Sequence, residues 1–344
     1  MPYQAVGGTD KMPSLGLGTK MRRREFIGLL GGSTVAWPVV TRAQSLGSSR
    51  KIGYLHPYQI DPGSFIGSVL GQRWRELGFV EGETVLLRSA QGDIARMPGL
   101  IAELVGLGVG VLVVVGLAAV KAALSAAPAM PVVAIDLETD PVSAGLVGSW
   151  ARPGGNLTGL FLDQASLTGK WLELLRQVKP GLKNVGLAWD PSTRSDQLEA
   201  AQNAARAIGV ESLVLKVNRP EEFQAAFGTL GNEAATGVVL LGSPTLTANA
   251  HLFSDAALKF KLPTICFFKP VSRAGGLMTY GPALEAYFPR AISMAHKILN
   301  GAKPSDMPIE RPDRYELVIN MKTAKALGLE IPTAMLGTAD EVLE

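Results

Sequence analysis

From Lys51 onward, apolar runs of strand length alternate with amphipathic segments of helix length, and this alternation stops once, between Ile135 and Leu160, before starting afresh. The interrupting stretch, IDLETDPVSAGLVGSWARPGGNLTGL, carries Pro141, Pro153 and five glycines. Such a density of helix-breaking and turn-permitting residues is costly inside a regular element. It reads as a bend between two units of similar build. If two α/β lobes meet there, a ligand would sit in the cleft between them.

On the amino-terminal side, Lys51–Leu55 is a short apolar run ending at His56-Pro57. Ser64 to Leu77 follows with Phe65, Ile66, Val69, Leu70, Trp74 and Leu77 at helical spacing, closed by Gly78. Thr84–Leu87, Val109–Val115 and Val132–Ile135 predict three more strands, and 100–105 and 118–126 predict helices. The continuous apolar run Val109–Val115 suits a strand covered on both faces. Strands separated by helix-length segments imply right-handed crossovers and a parallel sheet. Beyond the bend the grammar repeats. Leu157–Leu162, Val185–Trp189, Leu213–Val217, Gly237–Leu241 and Pro263–Phe268 read as strands, with helices between them. The last 60 or so residues are too few for an independent core. The chain is therefore expected to cross back into the first lobe near Gly281 and return near Arg311.

A length of 344 residues suits two domains. The net charge of +3 is unevenly placed, because residues 1–43 hold six basic residues against Asp10 and Glu25, leaving 27 basic and 28 acidic residues in the body. A near-neutral body offers no electrostatic footprint for nucleic acid. The excess charge belongs to a leader. Met21-Arg22-Arg23-Arg24-Glu25-Phe26-Ile27 precedes the apolar run Ile27–Val40 and then Thr41-Arg42-Ala43-Gln44, the order of an export peptide. Its R-R-x-F-I core is similar to a twin-arginine signal, with Arg22 where Ser or Thr is usual. A membrane anchor is the alternative, but those 14 residues are short against the roughly 20 of a span. Residues 1–20 lack pattern, so translation starting at Met21 is an open reading, as is export by the general route. Cys266 is the chain's sole cysteine, which excludes an intrachain disulfide and reads as a small buried apolar group.

In an open α/β sheet, ligands lie beyond the carboxyl ends of the strands. Applied here, that rule selects His56 and Tyr58, then Gly116-Leu117-Ala118 at a helix start, Asp136 and Asp140, Trp189 and Asp190, Ser243 and Thr245, and Phe268. The helix start offers free amides and a dipole to a carboxylate, the acids suit an ammonium group, and the aromatic residues suit stacking. Each has a plain alternative: a βα turn, a cap at Asp140 before Pro141, or a core aromatic. Enzyme signatures are missing. There is no GxSxG or HExxH motif, and His56, His251 and His296 have no metal-ligand spacing. Gly106-x-Gly108-x-Gly110 has the wrong spacing for a dinucleotide fingerprint, and no cofactor is expected.

Several stretches carry a family resemblance. They are Gly78-Phe79-Val80-Glu81-Gly82, Asp140-Pro141-Val142 with Gly145-Leu146-Val147, Ala151–Gly159 (ARPGGNLTG), Gly275–Gly281 (GGLMTYG), and Glu316–Asn320 with Thr323–Gly328. The sequence resembles the ABC-transporter substrate-binding proteins of the family that includes the tryptophan-binding type. The resemblance implies a type I periplasmic-binding fold, with two Rossmann-like lobes, parallel central sheets and a three-crossover hinge. With the bend and the return of the tail, lobe 1 is expected at 50–157 plus 282–310 and lobe 2 at 158–281 plus 311–344, with hinge residues Pro153, Gly154, Gly155 and Gly281. It also implies a monomeric periplasmic receptor, not an enzyme, that captures a small amino-acid-like or carboxylate solute for a permease and its ATPase. A sensing subunit on the same fold is the alternative. Tryptophan specificity is not carried over, because the strand-end residues match no one ligand set.

Overall fold

The computed structural model describes residues 50–344 apart from 59, 61–64, 163, 231–235, 244–245 and 247. The expected leader over 1–43 therefore lies outside the described residues. The first half builds a five-stranded sheet from β1 (Ile52–His56), β2 (Val85–Ser89), β3 (Val111–Val115), β4 (Val132–Asp136) and β5 (Leu157–Phe161), in the order β2-β1-β3-β4-β5 and parallel throughout. Helices α1 (Phe65–Glu76), α2 (Met97–Gly106) and α3 (Leu117–Ala126) make the crossovers. Side chains alternate across a pleated strand. Accordingly Tyr54, Val113 and Val133 enter one apolar cluster, while Leu55, Leu112, Val114 and Ala134 enter another on the opposite face. That two-sided burial is why β3 is an unbroken Val/Leu run.

The second half continues with α4 (Thr168–Val178), β6 (Asn184–Trp189), α5 (Asp196–Ala207), β7 (Glu211–Lys216), α6 (Phe223–Gly228), β8 (Thr236–Leu240), α7 (Ala250–Lys259), β9 (Thr264–Cys266), α8 (Pro270–Arg273) and β10 (Met278–Pro282). It ends in α9 (Leu284–Leu299), β11 (Tyr315–Asn320), α10 (Met321–Leu327), α11 (Thr333–Thr338) and β12 (Glu341–Leu343). The strands form a seven-stranded sheet in the order β12-β11-β10-β9-β8-β6-β7. In α4, Thr168, Trp171, Leu172, Leu174, Leu175 and Val178 are buried while Lys170 and Glu173 pair on the outside. Each fully buried Leu, Val or aromatic side chain contributes about 1.5–3 kcal/mol.

The chain passes between the sheets three times. It leaves the first sheet after Phe161, returns to it at Pro282–Leu284 and goes back over Glu310–Tyr315. Helix α9 packs on β3, β4, β5 and α1, so the tail is shared between the halves instead of forming a third domain.

Two features differ from the sequence reading. Leu157–Phe161 pairs with β4, placing Ile135 opposite Leu160, so the Pro153–Gly155 bend lies within the first lobe and the change of sheet comes after Phe161, not at 157/158. The pairing is set by burial: every residue of β5 is buried, which only an apolar neighbour strand can provide. Second, the second sheet is not wholly parallel. β11 runs antiparallel to β10, with Pro282 opposite Tyr315, because the chain re-enters that sheet at the same end from which it left. Gly281 stands where this crossing is tightest, since a Cβ there would lie 2.0 Å from the Phe267 carbonyl oxygen.

Candidate functional site

The carboxyl ends of the strands in both sheets turn toward one cavity of about 240 Å³. Its first-lobe wall is Pro57 and Tyr58 after β1, Ile94 and Met97 around the start of α2, and Val115, Gly116, Leu117, Ala118 and Lys121 from β3 into α3. Glu138 and Thr139 follow β4, and Ser192, Thr193 and Arg194 face them from the loop between β6 and α5. The volume is below the roughly 300–1,000 Å³ of pockets for drug-sized ligands, so it suits a small solute.

The α3 wall is built by backbone. Gly116 caps the helix at φ 81°, a left-handed value that an L side chain adopts only with strain, and its N–H donates to Ile135 O across to β4 at 2.9 Å. The following amides, at the helix start, have no intrahelical acceptor and border the cavity at Leu117 and Ala118. Together with the helix dipole they favour an anion, by about 0.3–1 kcal/mol and up to ~2 when partly buried.

Beside this helix start, on the same lobe, the end of β4 is acidic. Asp136, fully buried at the end of β4, accepts the Glu138 N–H on Oδ1 at 3.1 Å, while its Oδ2 has no hydrogen-bond partner. Glu138 sits within interaction range of it, and both carboxyls are held above the ordinary range. Burial is the main cause for each; for Glu138 the adjacent Asp136 charge adds to it, whereas neighbouring hydrogen bonds and the charge of Arg194 partly offset it for Asp136. Arg194 itself is paired with Asp196 at 2.7 Å. The buried amide of Gln164 has neither Nε2 nor Oε1 partnered. Gly242 makes this crowding possible: a Cβ on it would stand 1.9 Å from Gln164 Oε1 and 2.8 Å from Glu138 Cγ.

Of the residues expected from sequence, the structure brings Tyr58, Gly116, Leu117 and Ala118 to the cavity lining, with Asp136 directly behind Glu138. The others are engaged elsewhere. His56 is buried and stacked on Tyr54, its Nδ1 lies 2.6 Å from the Tyr58 carbonyl oxygen and 3.1 Å from the Tyr58 nitrogen, and burial lowers its pKa to about 4. Asp140 accepts the N–H groups of Val142 and Ser143 at 2.8 and 3.0 Å, a turn-capping role. Asp190 accepts from the Ser192 N–H at 2.8 Å, from Ser192 Oγ at 2.7 Å and from Ser243 Oγ at 2.6 Å, so two of the expected residues, Asp190 and Ser243, serve each other. Trp189 lies with Nε1 3.4 Å from Arg194 O, and the buried Phe268 packs 5.9 Å from Phe267; neither borders the cavity. Thr245 lies outside the described residues. Of the expected hinge residues, Gly281 is at a crossing, and Pro153, Gly154 and Gly155 precede β5.

Sequence reasoning missed Glu138, Thr139, Gln164 and the Ser192–Arg194 loop. The strand-end rule applied to β4 stopped at the aspartates, although Asp136-x-Glu138 continues the same strand direction. A wider hollow of about 460 Å³ lies within the second lobe, beside α7, α10 and Leu343. Its lining includes Arg273, Lys322 and Glu344 and draws on one sheet's surroundings alone. The cavity that both lobes share is the better candidate.

Two mainly parallel sheets joined by three crossings around a shared cavity define a type I periplasmic-binding fold. The chain belongs to the ABC transporter substrate binding protein family, whose model matches residues 70–343. A tyrosine-binding protein of Clostridioides difficile (strain R20291) is 25% identical over 260 residues, 74% of this chain and 73% of the relative. Among solved structures, the ABC domain of Streptococcus pneumonia in complex with L-Trp superposes with a TM-score of 0.75 at 23% identity, over 85% of this chain and all of that one. A conserved domain protein of Vibrio cholerae gives 0.76 at 24%, over 85% and 99%.

Proposed function

We propose that this protein is the periplasmic receptor of an ABC importer, and that its interlobe cavity captures a small amino-acid-like solute. The observation that carries this reading is the juxtaposition, at the ends of the adjacent strands β3 and β4, of the helix-start amides at Leu117 and Ala118 and the carboxyl of Glu138, all bordering one small cavity with Asp136 buried beside them. A zwitterion has the complementary pair of charges. The tyrosine-binding relative and the L-Trp-bound structural neighbour support an amino acid as the solute class.

In this reading the solute binds the closed arrangement of the lobes better than the open one, and closure presents the surface that a permease and its ATPase partner would recognise. Tyr58 supplies a ring to one wall of the cavity for an aromatic or aliphatic side chain. Binding, without turnover, is the whole activity. Micromolar affinity corresponds to about −8 kcal/mol, within reach of an anion held by helix amides and a cation held by carboxyls. Export through the leader would deliver the receptor to the periplasm.

The test is a thermal-shift screen of the purified protein against the proteinogenic amino acids and a set of plain carboxylic acids. At least one amino acid should raise the melting temperature in a saturable way. Absence of any response across the amino acids would refute the proposal.

A further inference from the structure

Resting on the receptor reading, we propose that Asp136 and Glu138 form the subsite for a cationic nitrogen of the solute, and that the solute's charge replaces a proton the two carboxyls share. The geometry supplies four observations. Two carboxyls meet at the cavity end of β4 with a backbone N–H of one already given to the other. Asp136 Oδ2 is fully buried and unpartnered, and Gln164, also fully buried, has a wholly unpartnered amide aimed at the same place. Glu138 Cγ and the Gln164 carboxamide both crowd the point where Gly242 lacks a side chain. Thr139, buried and bordering the cavity, stands beside the pair within interaction range of Asp136.

Two neighbouring buried carboxyls cannot both ionise cheaply, so the pair holds one proton between them. An ammonium group brings the positive charge that the proton supplied. It can donate up to three hydrogen bonds; Glu138 and Thr139 border the cavity and meet it there, with the buried Asp136 and Gln164 behind them. The displaced proton leaves to solvent. A plain carboxylic acid cannot make this exchange, which sets the specificity: amines and amino acids over their deaminated analogues.

The remaining charged and titratable groups around the pair do not take over this role. Lys121 on α3 borders the cavity as a cation, and Arg194 is committed to Asp196. Asp190 is saturated by Ser192 and Ser243, Asp140 caps its own turn, and His56 is turned onto Tyr58. Among the described residues just past β8, Gly242 and Ser243 carry no ionisable side chain.

Titration calorimetry on the purified chain tests this with L-tyrosine and 3-(4-hydroxyphenyl)propanoate, and with L-leucine and 4-methylpentanoate. Each is run at pH 7 in phosphate and in Tris, whose ionisation enthalpies differ. The expected result is binding of an amino acid with release of about one proton, no measurable binding of its deaminated partner, and affinity rising by up to tenfold per pH unit while the pair stays protonated. Glu138→Gln, with its fold checked by melting temperature, should abolish proton release and weaken binding at least tenfold. Deaminated acids binding as tightly as amino acids, or amino-acid binding with no proton released, would overturn the subsite while leaving the receptor reading intact. Binding of neither set would overturn the receptor reading and the subsite with it.

Discussion

The hydroxyl of Tyr287 donates to the carbonyl of Glu310 at 2.6 Å, and the Phe161 carbonyl lies 3.1 Å from the same oxygen. Phe161 ends the strand from which the chain first leaves the first sheet, Glu310 lies on the last crossing, and Tyr287 follows the second by a few residues. One side chain thus ties all three passages, and Arg290 reinforces it with Glu310 at 2.5 Å and Asp313 at 3.0 Å. Tyr287→Phe keeps the ring and removes the donor. We expect a loss of about 1–3 kcal/mol, read as a lower urea midpoint with an unchanged slope.

The crossing at Gly281 is less forgiving. A methyl group there would meet the Phe267 backbone, which cannot rotate aside as a side chain could. Gly281→Ala is expected to lower stability by about 3 kcal/mol or more, whereas Gly155→Ala, with open space around it, should change it little. Parallel denaturation curves of the two variants check this.

Asp190 and Ser243 were candidates for ligand contact, and the structure makes them partners of each other. Ser243→Ala removes the donor from a buried carboxylate oxygen. Its effect should appear as a stability loss of about 1–3 kcal/mol. Solute affinity, measured by calorimetry below the melting temperature, should move by less than the loss seen for Glu138→Gln.

His56 gives a pH signature. Burial lowers its folded pKa from the ordinary 6.5 to about 4, so between those values the unfolded chain binds more protons than the folded one. Its contribution is complete above pH 6.5 and declines as pH falls toward 4, by at most about 3 kcal/mol. The buried Asp136–Glu138 pair, with raised values, acts in the opposite sense as pH rises. The contribution of His56 is therefore read from the difference between the wild type and His56→Asn across pH 4–7, which should shrink toward pH 4.

Cys266 is buried in β9 and its thiol is pushed up to about 12, mainly by burial. The native protein should not react with a thiol-specific chromogenic reagent at pH 8, and the protein in urea should release one equivalent. Rapid reaction of the native protein would mean that β9 opens readily.

Periodicity made most of the fold legible. The Val/Leu run of β3 and the spacing of Trp171, Leu174 and Leu175 in α4 state their burial directly. The sheet to which β5 belongs was not legible, because Leu157–Phe161 is buried throughout and would suit either sheet; only pairing with β4 decides it. The antiparallel step at β10 and β11 depends on where the chain re-enters, which no local pattern records. Helix-start amides at Gly116–Ala118 follow from a strand running into a helix, and so could be read in advance. Glu138, Gln164 and Arg194 could not. They lie past strand ends or in a short 3-10 turn, and Glu138 and Gln164 are brought together only at Gly242, some 100 and 80 positions later in the chain.

The central claim is that the cavity between the sheets is where the solute binds. Ala118 borders that cavity at the start of α3 and is exposed to it, so Ala118→Trp fills the space from a position that supports no core packing. The deciding measurement is calorimetric titration of the wild type and Ala118→Trp with the amino acid that gives the largest thermal shift. The account predicts saturable binding near micromolar by the wild type and loss of binding by the variant at an unchanged melting temperature without solute. Equal binding by both proteins would place the solute elsewhere and contradict it.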